Sequence, residues 1–324
     1  MRAVVIPEFG GPEVLGLDSV PDPTPSPREV VVRVHASGVN RADTLQRRGL
    51  YPPPPGASEA PGLEFAGVGD EVGEAGTRWR HGDRVMGIVA GGGYAERVVA
   101  DERVAVAVPA GRDMTAAGAI PEVYMTAYDA VFLQAGLKRG ETLLIHAVGS
   151  GVGTAALQLA RRAEARTIGT SRTASKLERA AAMGLDLGVP GGEAWEEAVM
   201  DATGGRGADV ILDLVGAAYL ARNQAAIAPR GRHVVVGVPG GIHASLDLRL
   251  LMARRARILG TVLRARGVEE KADLARKFTA SVLPGFADGA LEPAMDRVFP
   301  AARAADAHRR MEANRNFGKI VLVW

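Results

Sequence analysis

The chain has 324 residues, 47% of them hydrophobic and 23% charged, and a net charge of only +2, with basic residues spread along the sequence rather than clustered as in a nucleic-acid-binding surface. It contains no cysteine, which excludes disulfides, thiol catalysis and thiolate metal sites. It also lacks an uninterrupted apolar run of about 18 residues and the features of a signal peptide, so we predict no membrane partner and a cytoplasmic location.

Residues 1 to about 110 are predicted to be rich in β-structure. Short apolar runs alternate there with Gly, Pro and Asp, and one helix interrupts them at about 41–48. Strands at this spacing suggest a barrel or a sandwich. The predicted strands lie at 29–39, 63–73, 83–89 and 94–101.

From about residue 112 the pattern changes to helices alternating with strands. Residues 115–136 have helical spacing with a break near Pro121. Alternation of strands and helices predicts a parallel sheet with helices on both faces. The predicted strands lie at 142–148, 166–171, 208–216, 232–238 and 256–263.

The last 60 or so residues contain two predicted strands, at 296–300 and 318–324, and helices from about 268 and at 304–313. Two strands are too few for an independent core. We therefore expect this segment to complete the first domain.

A glycine cluster, Val148–Gly153, lies between the first strand and the first helix of the alternating region. Glycines let the backbone approach a pyrophosphate, and the helix start supplies free N–H donors and partial positive charge. The strict G-x-G-x-x-G fingerprint is not met, because Val148 and Ser150 occupy its first two glycine positions. A tight turn without a ligand is the alternative, but the β/α pattern that follows favours a dinucleotide. The candidate pyrophosphate residues are Ser150, Gly151, Val152 and Gly153.

The second strand of this region indicates which dinucleotide is bound. An NAD site has an acidic residue about 20 residues after the glycine loop, where it binds the ribose 2′-OH. Here no acid occurs between Thr167 and Leu177. Ser171, Arg172 and Lys176 instead offer a hydroxyl and two cations that would pair with a 2′-phosphate. We predict NADPH; the alternative is that the two cations belong to a solvated helix start.

Several longer segments together resemble a known family over nearly the whole chain. The sequence is similar to the zinc-free quinone oxidoreductases of the medium-chain dehydrogenase/reductase superfamily, and in particular to their p53-inducible quinone reductase-like subgroup. The segments that carry the resemblance include NRADTLQRRGLYPPPPGAS (40–58), PGLEFAGVG (61–69), AAGAIPEVYMTAYDA (116–130), HAVGSGVGTAALQLAR (146–161) and MEANRNFGKIVL (311–322).

The resemblance implies an α/β protein of two domains. A GroES-like β-barrel catalytic domain would comprise residues 1–122 and 265–324, and a Rossmann domain with a doubly wound parallel sheet would comprise 123–264. NADPH would bind in the cleft. The resemblance also implies a homodimer formed by pairing edge strands, for which 256–263 is the candidate.

Zinc-dependent relatives hold their catalytic metal with thiolates and the His of a GHE motif. The matching residues here are Gly62-Leu63-Glu64, and the chain has no cysteine, so we predict no metal site. His146, at a predicted strand end, is interpreted as a packed core histidine rather than as a catalyst.

The implied reaction is hydride transfer from NADPH to a quinone without metal. The protein would hold the two π systems in contact, exclude water and donate a hydrogen bond to the acceptor oxygen. One alternative is a reductase of alkenal or enone double bonds. Another is a protein that binds NADPH but turns over little.

The resemblance assigns Asn40, Asp43, Tyr51 and Thr126 to the region near the nicotinamide. Asn40 would donate to a cofactor or substrate oxygen, Asp43 would orient its neighbours, and Tyr51 would offer an O–H and a ring for stacking. For Tyr51 the alternative is packing on the prolines that follow it. For Thr126 the alternative is a hydroxyl bonded to its own helix.

Further cofactor contacts follow from the same resemblance. Many relatives have a Tyr near the 2′-phosphate after the second Rossmann helix, whereas Gly191 is roughly at that point here. Lys319 is either a cofactor contact or a solvated side chain. The implied contacts are Gly237, Val238 and Pro239 after one strand, Thr261, Val262 and Leu263 after the last one, and Asn316, Gly318 and Lys319 near the C-terminus.

Overall fold

The computed structural model describes residues 1–192 and 194–324. They form two compact units. The first unit consists of Met1–Met125 together with Leu263–Trp324, and the second consists of Thr126–Val262. Across the described ranges, no helix combines the length and the apolar character needed to cross a membrane.

As the sequence predicts, the first part of the chain is rich in strands, and helices alternate with strands after it. The strands are, in chain order, β1 (Arg2–Val5), β2 (Gly16–Ser19), β3 (Glu29–Val39), β4 (Glu64–Val72), β5 (Arg84–Ile88), β6 (Arg97–Asp101), β7 (Val106–Ala107), β8 (Thr142–Ile145), β9 (Arg166–Ser171), β10 (Leu187–Pro190), β11 (Ala208–Asp213), β12 (Ile227–Val235), β13 (Arg257–Gly260), β14 (Met295–Pro300) and β15 (Lys319–Val323).

The α-helices are α1 (Arg41–Arg47), α2 (Met114–Ala117), α3 (Pro121–Tyr128), α4 (Gly151–Arg162), α5 (Ala174–Ala182), α6 (Trp195–Ala202), α7 (Leu220–Ala226), α8 (Leu248–Arg254), α9 (Val268–Ser281), α10 (Pro284–Ala287) and α11 (Ala304–Glu312). A π-helix, Asp129–Gln134, continues α3. The predicted break near Pro121 is confirmed, because α2 ends at Ala117 and α3 begins at Pro121, a position where proline is favourable.

The sheet of the first unit is built around β3, whose bounds match the predicted strand at 29–39. β3 pairs antiparallel with β4, β6 and β15. The alternate side chains Val30, Val32 and Val34 are buried in a cluster with Phe65. In the described residues the order is β14-β15-β3-β4-β5-β7, so the last segment of the chain joins the sheet of the first.

The second unit contains the predicted parallel sheet. Its strand order, in the part of the chain described, is β10-β9-β8-β11-β12-β13, and all five pairings are parallel. From β8 the chain adds β9 and β10 on one side of the sheet, and it then returns to add β11, β12 and β13 on the other side. The order of strands therefore reverses between β8 and β11, and doubly wound sheets bind ligands at the carboxyl ends of the strands at such a switch point. The fold class predicted from the sequence is therefore confirmed.

Candidate active site

The glycine cluster forms the turn from β8 into α4. Ser150 is the N-cap of α4, and its Oγ accepts a hydrogen bond from the Gly153 N–H at 3.1 Å. A Cβ at Gly153 would lie 2.6 Å from the Ala147 carbonyl oxygen and 2.7 Å from that of Val148. Glycine is therefore required for this close approach of helix to strand. The capped start of α4 has the N–H groups and partial charge that hold phosphate oxygens.

The candidate 2′-phosphate residues follow β9. Ser171 ends the strand and is buried, and its Oγ accepts a hydrogen bond from the Thr173 N–H at 3.2 Å. Arg172 is exposed, and Lys176 lies in the first turn of α5. The donor set at this strand end is a hydroxyl and two cations, which suits a phosphate dianion better than a ribose hydroxyl.

The candidate ribose residues Gly237, Val238 and Pro239 follow β12, beside the end of β11. The Oδ1 of Asp213 accepts hydrogen bonds from the N–H groups of Val215 and Gly216, both at 2.8 Å. The carbonyl oxygen of Asp213 accepts one from the Val236 N–H at 2.9 Å. Asp213 thus ties the two strand ends together. Sequence reasoning missed this role, although an Asp that ends a buried strand before a Val-Gly pair is the available signal.

His146 lies in a buried polar network beneath the same sheet edge. Its Nδ1 is 2.9 Å from the Thr170 hydroxyl and its Nε2 is 2.6 Å from the Asn223 Oδ1. The Asn223 amide then reaches the Asp213 Oδ2 at 3.0 Å. Burial lowers the pKa of His146 to about 4, so the ring is neutral. The interpretation of His146 as a packed core histidine is consistent with these contacts.

Two further candidates of the second unit lie near its π-helix. The Thr261 hydroxyl donates to the Asp129 Oδ2 at 2.6 Å, and the Thr261 N–H bonds to the Val235 carbonyl oxygen at 3.1 Å. Thr126 is buried in α3, and in the described residues its hydroxyl makes no hydrogen bond to its own helix. Val262 is exposed, whereas Leu263 belongs to the first unit and is buried there.

In the first unit, Lys319, Glu64 and Asn40 form a buried polar cluster. The Lys319 Nζ lies 2.6 Å from the Glu64 Oε1 and 2.8 Å from the Asn40 Oδ1. The Asn40 Nδ2 donates to the same Glu64 oxygen at 2.8 Å. Lys319 is 3% exposed, so the solvated alternative for this residue is wrong. The Glu64 carboxylate oxygen, the Asn40 Oδ1 and the Val39 carbonyl oxygen replace the water that the Lys319 Nζ loses on burial.

The other two C-terminal candidates lie just before β15. The Asn316 Nδ2 donates to the Gly318 carbonyl oxygen at 2.9 Å, and Asn316 is buried. Gly318 has a φ of 76°, and a Cβ there would lie 2.0 Å from the Ala294 carbonyl oxygen. The Asn-x-Gly-Lys sequence thus forms a tight turn that delivers Lys319 to its cluster.

Asp43 is fully buried in α1 and connects Asn40 to a second group of polar side chains. Its Oδ2 accepts hydrogen bonds from the Asn40 N–H at 2.7 Å and from the Tyr94 hydroxyl at 2.9 Å. Its Oδ1 has no hydrogen-bond partner among the described residues. Burial raises the pKa of Asp43 to about 6. Asp43 therefore holds the backbone of Asn40 and the Tyr94 hydroxyl, and the orienting role that the resemblance implies for it stays a prediction.

Tyr51 lies against Arg264. The guanidinium carbon of Arg264 is 5.0 Å from the centre of the Tyr51 ring, and its Nη1 donates to the Tyr51 carbonyl oxygen at 2.9 Å. The Arg264 Nη2 also donates to the Gln46 Oε1 of α1 at 2.6 Å. Burial raises the pKa of Tyr51, so the phenol keeps its proton. Arg264 thereby links the Tyr51 loop to the helix that carries Asp43.

The comparisons with known proteins agree with this architecture. Residues 26–110 match the family model described as "Alcohol dehydrogenase GroES-like domain", and residues 151–280 match "Zinc-binding dehydrogenase". The chain is 32% identical to the quinone oxidoreductase of Homo sapiens over 327 residues, which cover 100% of this chain and 98% of that protein. The chain belongs to the quinone oxidoreductase family of the medium-chain dehydrogenase/reductase superfamily. It is an oxidoreductase with the fold of nicotinamide-dependent enzymes.

Two solved structures extend the comparison. A structure named as an NAD-dependent alcohol dehydrogenase is 33% identical, with a TM-score of 0.89 and coverage of 100% of both chains. The mycobacterial protein Rv1454c, solved with NADPH, is 28% identical, with a TM-score of 0.89 and the same coverage. Because these names include both coenzymes, a preference in this member of the family has to be argued from its own residues.

The residues of this chain do not fit the zinc that one family description implies. The chain has no cysteine, and the GHE histidine position is occupied by Leu63, which is buried. The neighbouring Glu64 is already paired with Lys319. Within residues 1–192 and 194–324, no group of three or more His, Asp or Glu side chains is arranged to hold a metal ion.

Sequence reasoning also missed Glu122, in the first turn of α3. Its backbone N–H donates to the Glu64 Oε2 at 2.9 Å. Burial and the nearby Glu64 carboxylate raise the pKa of Glu122 to about 8, from an ordinary value of 4.5. The local sequence feature that could have pointed to Glu122 is the Pro121-Glu122 pair at the start of a predicted helix. Glu122 is therefore a neutral acid at pH 7.

We expect the Glu122→Gln variant to be less sensitive to pH than the unmodified protein. Because the folded-state pKa is raised, Glu122 favours folding most below pH 4.5, and this contribution declines until about pH 8. The unmodified protein should therefore lose roughly 1–3 kcal/mol more of its free energy of unfolding between pH 5 and pH 8 than the variant does. Urea unfolding at both pH values measures this difference. The exposed Glu178→Gln is the control, and equal pH sensitivity of all three proteins would contradict the prediction.

Proposed function

We propose that the protein is an NADPH-dependent reductase that transfers hydride to a quinone without a metal ion. The observation that carries the coenzyme assignment is the end of β9, where Ser171 is followed by the exposed Arg172 and no acid occurs before Leu177. A carboxylate at this point would repel a 2′-phosphate, whereas a guanidinium forms charge-assisted hydrogen bonds with it. The family membership supports the quinone as acceptor.

The second unit would hold the coenzyme. The capped start of α4, with Ser150, Gly151, Val152 and Gly153, would bind the pyrophosphate, and Ser171, Arg172 and Lys176 would bind the 2′-phosphate. Gly237, Val238, Pro239, Thr261 and Val262 would contact the ribose and nicotinamide side, with Thr126 as a further contact. When bound, the reduced nicotinamide supplies the hydride.

The first unit would provide the polar groups for the acceptor. Both polar ends of the Asn40 amide already have partners in Lys319 and Glu64, so we assign Asn40 and Asp43 to positioning. Tyr51 keeps its phenol proton, and we assign to it the hydrogen bond that stabilises charge on the acceptor oxygen. Arg264 would hold Tyr51 in place through its ring and carbonyl contacts.

The same arrangement would accept a conjugated carbonyl compound, because charge also develops on an oxygen when an enone is reduced. The test is to measure NADPH and NADH oxidation by the pure protein with 1,4-benzoquinone and with an α,β-unsaturated ketone, each with and without EDTA. We expect NADPH-dependent quinone reduction that EDTA does not affect. Faster reduction of the enone would favour the alternative, and binding of NADPH without turnover of either acceptor would favour a binding protein. Loss of activity in EDTA with rescue by a divalent cation would contradict the metal-free mechanism.

A homodimer is part of the proposal. Among the described residues β13 is an edge strand of the parallel sheet, and the unpaired edge of a strand is a template for a second copy. Exposed apolar side chains support this, since Ile258 of β13 and Leu248 and Met252 of the neighbouring α8 all face solvent. A monomer in sedimentation equilibrium would contradict it. The cytoplasmic location stays a prediction.

A further inference from the structure

We propose that Tyr219 is a specificity-determining residue for the phosphorylated ribose, and that its hydroxyl forms one wall of the 2′-phosphate subsite. This inference rests on the proposed use of NADPH. Tyr219 comes from the turn after β11, and nothing in the sequence pattern connects it with the end of β9. Its position follows from three sets of contacts within the second unit.

The first set is the contact between Tyr219 and the loop that follows β10. The Tyr219 hydroxyl donates to the Gly191 carbonyl oxygen at 2.8 Å, and the Gly191 N–H donates to the Ser171 carbonyl oxygen at 2.8 Å. A Cβ at Gly191 would lie 3.0 Å from the Tyr219 hydroxyl, 3.3 Å from the Ser171 carbonyl carbon and 3.4 Å from the Arg172 nitrogen. Gly191 thus lies between the phenol and the backbone of Ser171 and Arg172, the two residues on which the coenzyme assignment depends most.

This contact also explains why position 191 has no side chain. The space that a Cβ would fill at Gly191 is bounded by the Tyr219 hydroxyl on one side and the strand end on the other. A hydroxyl group therefore stands beside position 191 even though residue 191 itself cannot supply one. It arrives from the turn after β11, a strand that β8 separates from β9 in the sheet.

The second set of contacts makes the phenol rigid. The Tyr219 ring packs edge-on against His146, with 4.8 Å between ring centres, and lies 5.2 Å from the Trp195 ring. The backbone N–H of Tyr219 donates to the Gly216 carbonyl oxygen at 2.9 Å. Asp213 in turn holds the N–H of Gly216 at 2.8 Å. A side chain held in this way loses little conformational entropy when it binds a ligand.

The third set concerns charge. Arg172 and Arg222 both act electrostatically on Tyr219, where they oppose the rise in pKa that burial causes. Arg222 also donates to the Gly192 carbonyl oxygen at 2.8 Å. Asp213 acts on the phenol in the opposite sense, so two guanidinium groups and one carboxylate set the charge around it, and the net positive balance favours an added phosphate. Rotation of the hydroxyl hydrogen away from Gly191 would let Tyr219 donate to a phosphate oxygen without movement of the ring.

The test is the Tyr219→Phe variant, which removes one oxygen and keeps the packed ring. Isothermal titration calorimetry of NADPH, NADH, 2′,5′-ADP and 5′-AMP isolates the phosphate from the rest of the coenzyme. We expect binding of NADPH and 2′,5′-ADP to weaken about tenfold, which corresponds to about 1.4 kcal/mol, while NADH and 5′-AMP keep their affinities. The matched control is Tyr128→Phe, which removes a phenol oxygen elsewhere in the same unit and should change none of the four affinities.

The outcomes separate this inference from the proposed function. If the unmodified protein binds NADPH no more tightly than NADH, the coenzyme assignment itself fails. If it prefers NADPH and Tyr219→Phe keeps the full preference, the inference about Tyr219 is wrong and the assignment stands. Gly191→Ala is the second variant, because its methyl group would lie 3.0 Å from the phenol oxygen and shift it by a few tenths of an ångström. It should weaken binding of 2′,5′-ADP and leave 5′-AMP unchanged, and a loss for both ligands would contradict a role specific to the phosphate.

Discussion

The Lys319→Met variant should lose about 3–5 kcal/mol of its free energy of unfolding, because it leaves a buried carboxylate without its cation. Glu64 is 0% exposed and Lys319 is 3% exposed, and their charged atoms lie 2.6 Å apart. Neither water nor another cation can replace the ammonium group at that depth. Urea or thermal unfolding at pH 7 measures the loss. The proposed quinone reduction should fall as well, since the side-chain oxygen of Asn40 loses its partner.

Two further variants test whether the burial of the charge is the cause. Lys277→Met removes an exposed pair with Asp273 on α9, and such surface pairs contribute little to stability because solvent screens them. The double variant Glu64→Gln/Lys319→Met removes both buried charges, and should be more stable than Lys319→Met alone. If Lys319→Met and Lys277→Met lost the same free energy of unfolding, the buried pair would contribute no more to stability than a surface pair.

For the Arg172→Ala variant we expect a loss of about 10- to 150-fold in affinity for NADPH, with little change for NADH. A charge-assisted hydrogen bond to phosphate is worth about 1.5–3 kcal/mol, and each 1.4 kcal/mol is about tenfold in affinity. The exposed position of Arg172 makes disruption of the fold an inadequate explanation for such a selective loss. Titration with both coenzymes, followed by intrinsic tryptophan fluorescence, provides the measurement.

Arg179→Ala is the matched control for this experiment. Arg179 lies in the last turn of α5, so the substitution removes the same charge from an exposed position further along the chain, away from the end of β9. It should leave the ratio of the two affinities unchanged. An unchanged ratio in Arg172→Ala would overturn the assignment of the 2′-phosphate site, and an equal change in both variants would reduce it to a general effect of net charge.

Local sequence patterns were sufficient to predict the long helices and strands. The strand at 29–39 was predicted with its observed bounds, because eleven residues with an apolar middle leave little choice of conformation. The parallel sheet followed from the alternation of strands and helices. The prediction missed β1, β2, β7 and β10, which are two to four residues long and bury at most two side chains each, so their periodicity is too short to detect. Their strand geometry is imposed by the neighbours with which they pair.

The site could be predicted in part. The features that were found are local in the sequence, and those that were missed join residues far apart in it. The start of α4 and the acid-free end of β9 are local features, and a sequence motif can therefore reveal them. The partners of Lys319 could not be deduced, because Glu64 lies 255 residues away and meets it only when β15 and β4 join the same sheet. Tyr219 and Gly191 lie 28 residues apart and on different strand ends.

The sequence by itself determined the class of fold, the absence of a thiolate metal site and the charge offered after the second strand of the parallel sheet. These properties depend on composition and short-range pattern, which are complete in the one-dimensional chain. The tertiary structure decided which buried charge meets which, and which phenol stands beside Gly191. Such pairings arise from strand order and from the desolvation of groups that meet only after folding, so no local pattern encodes them.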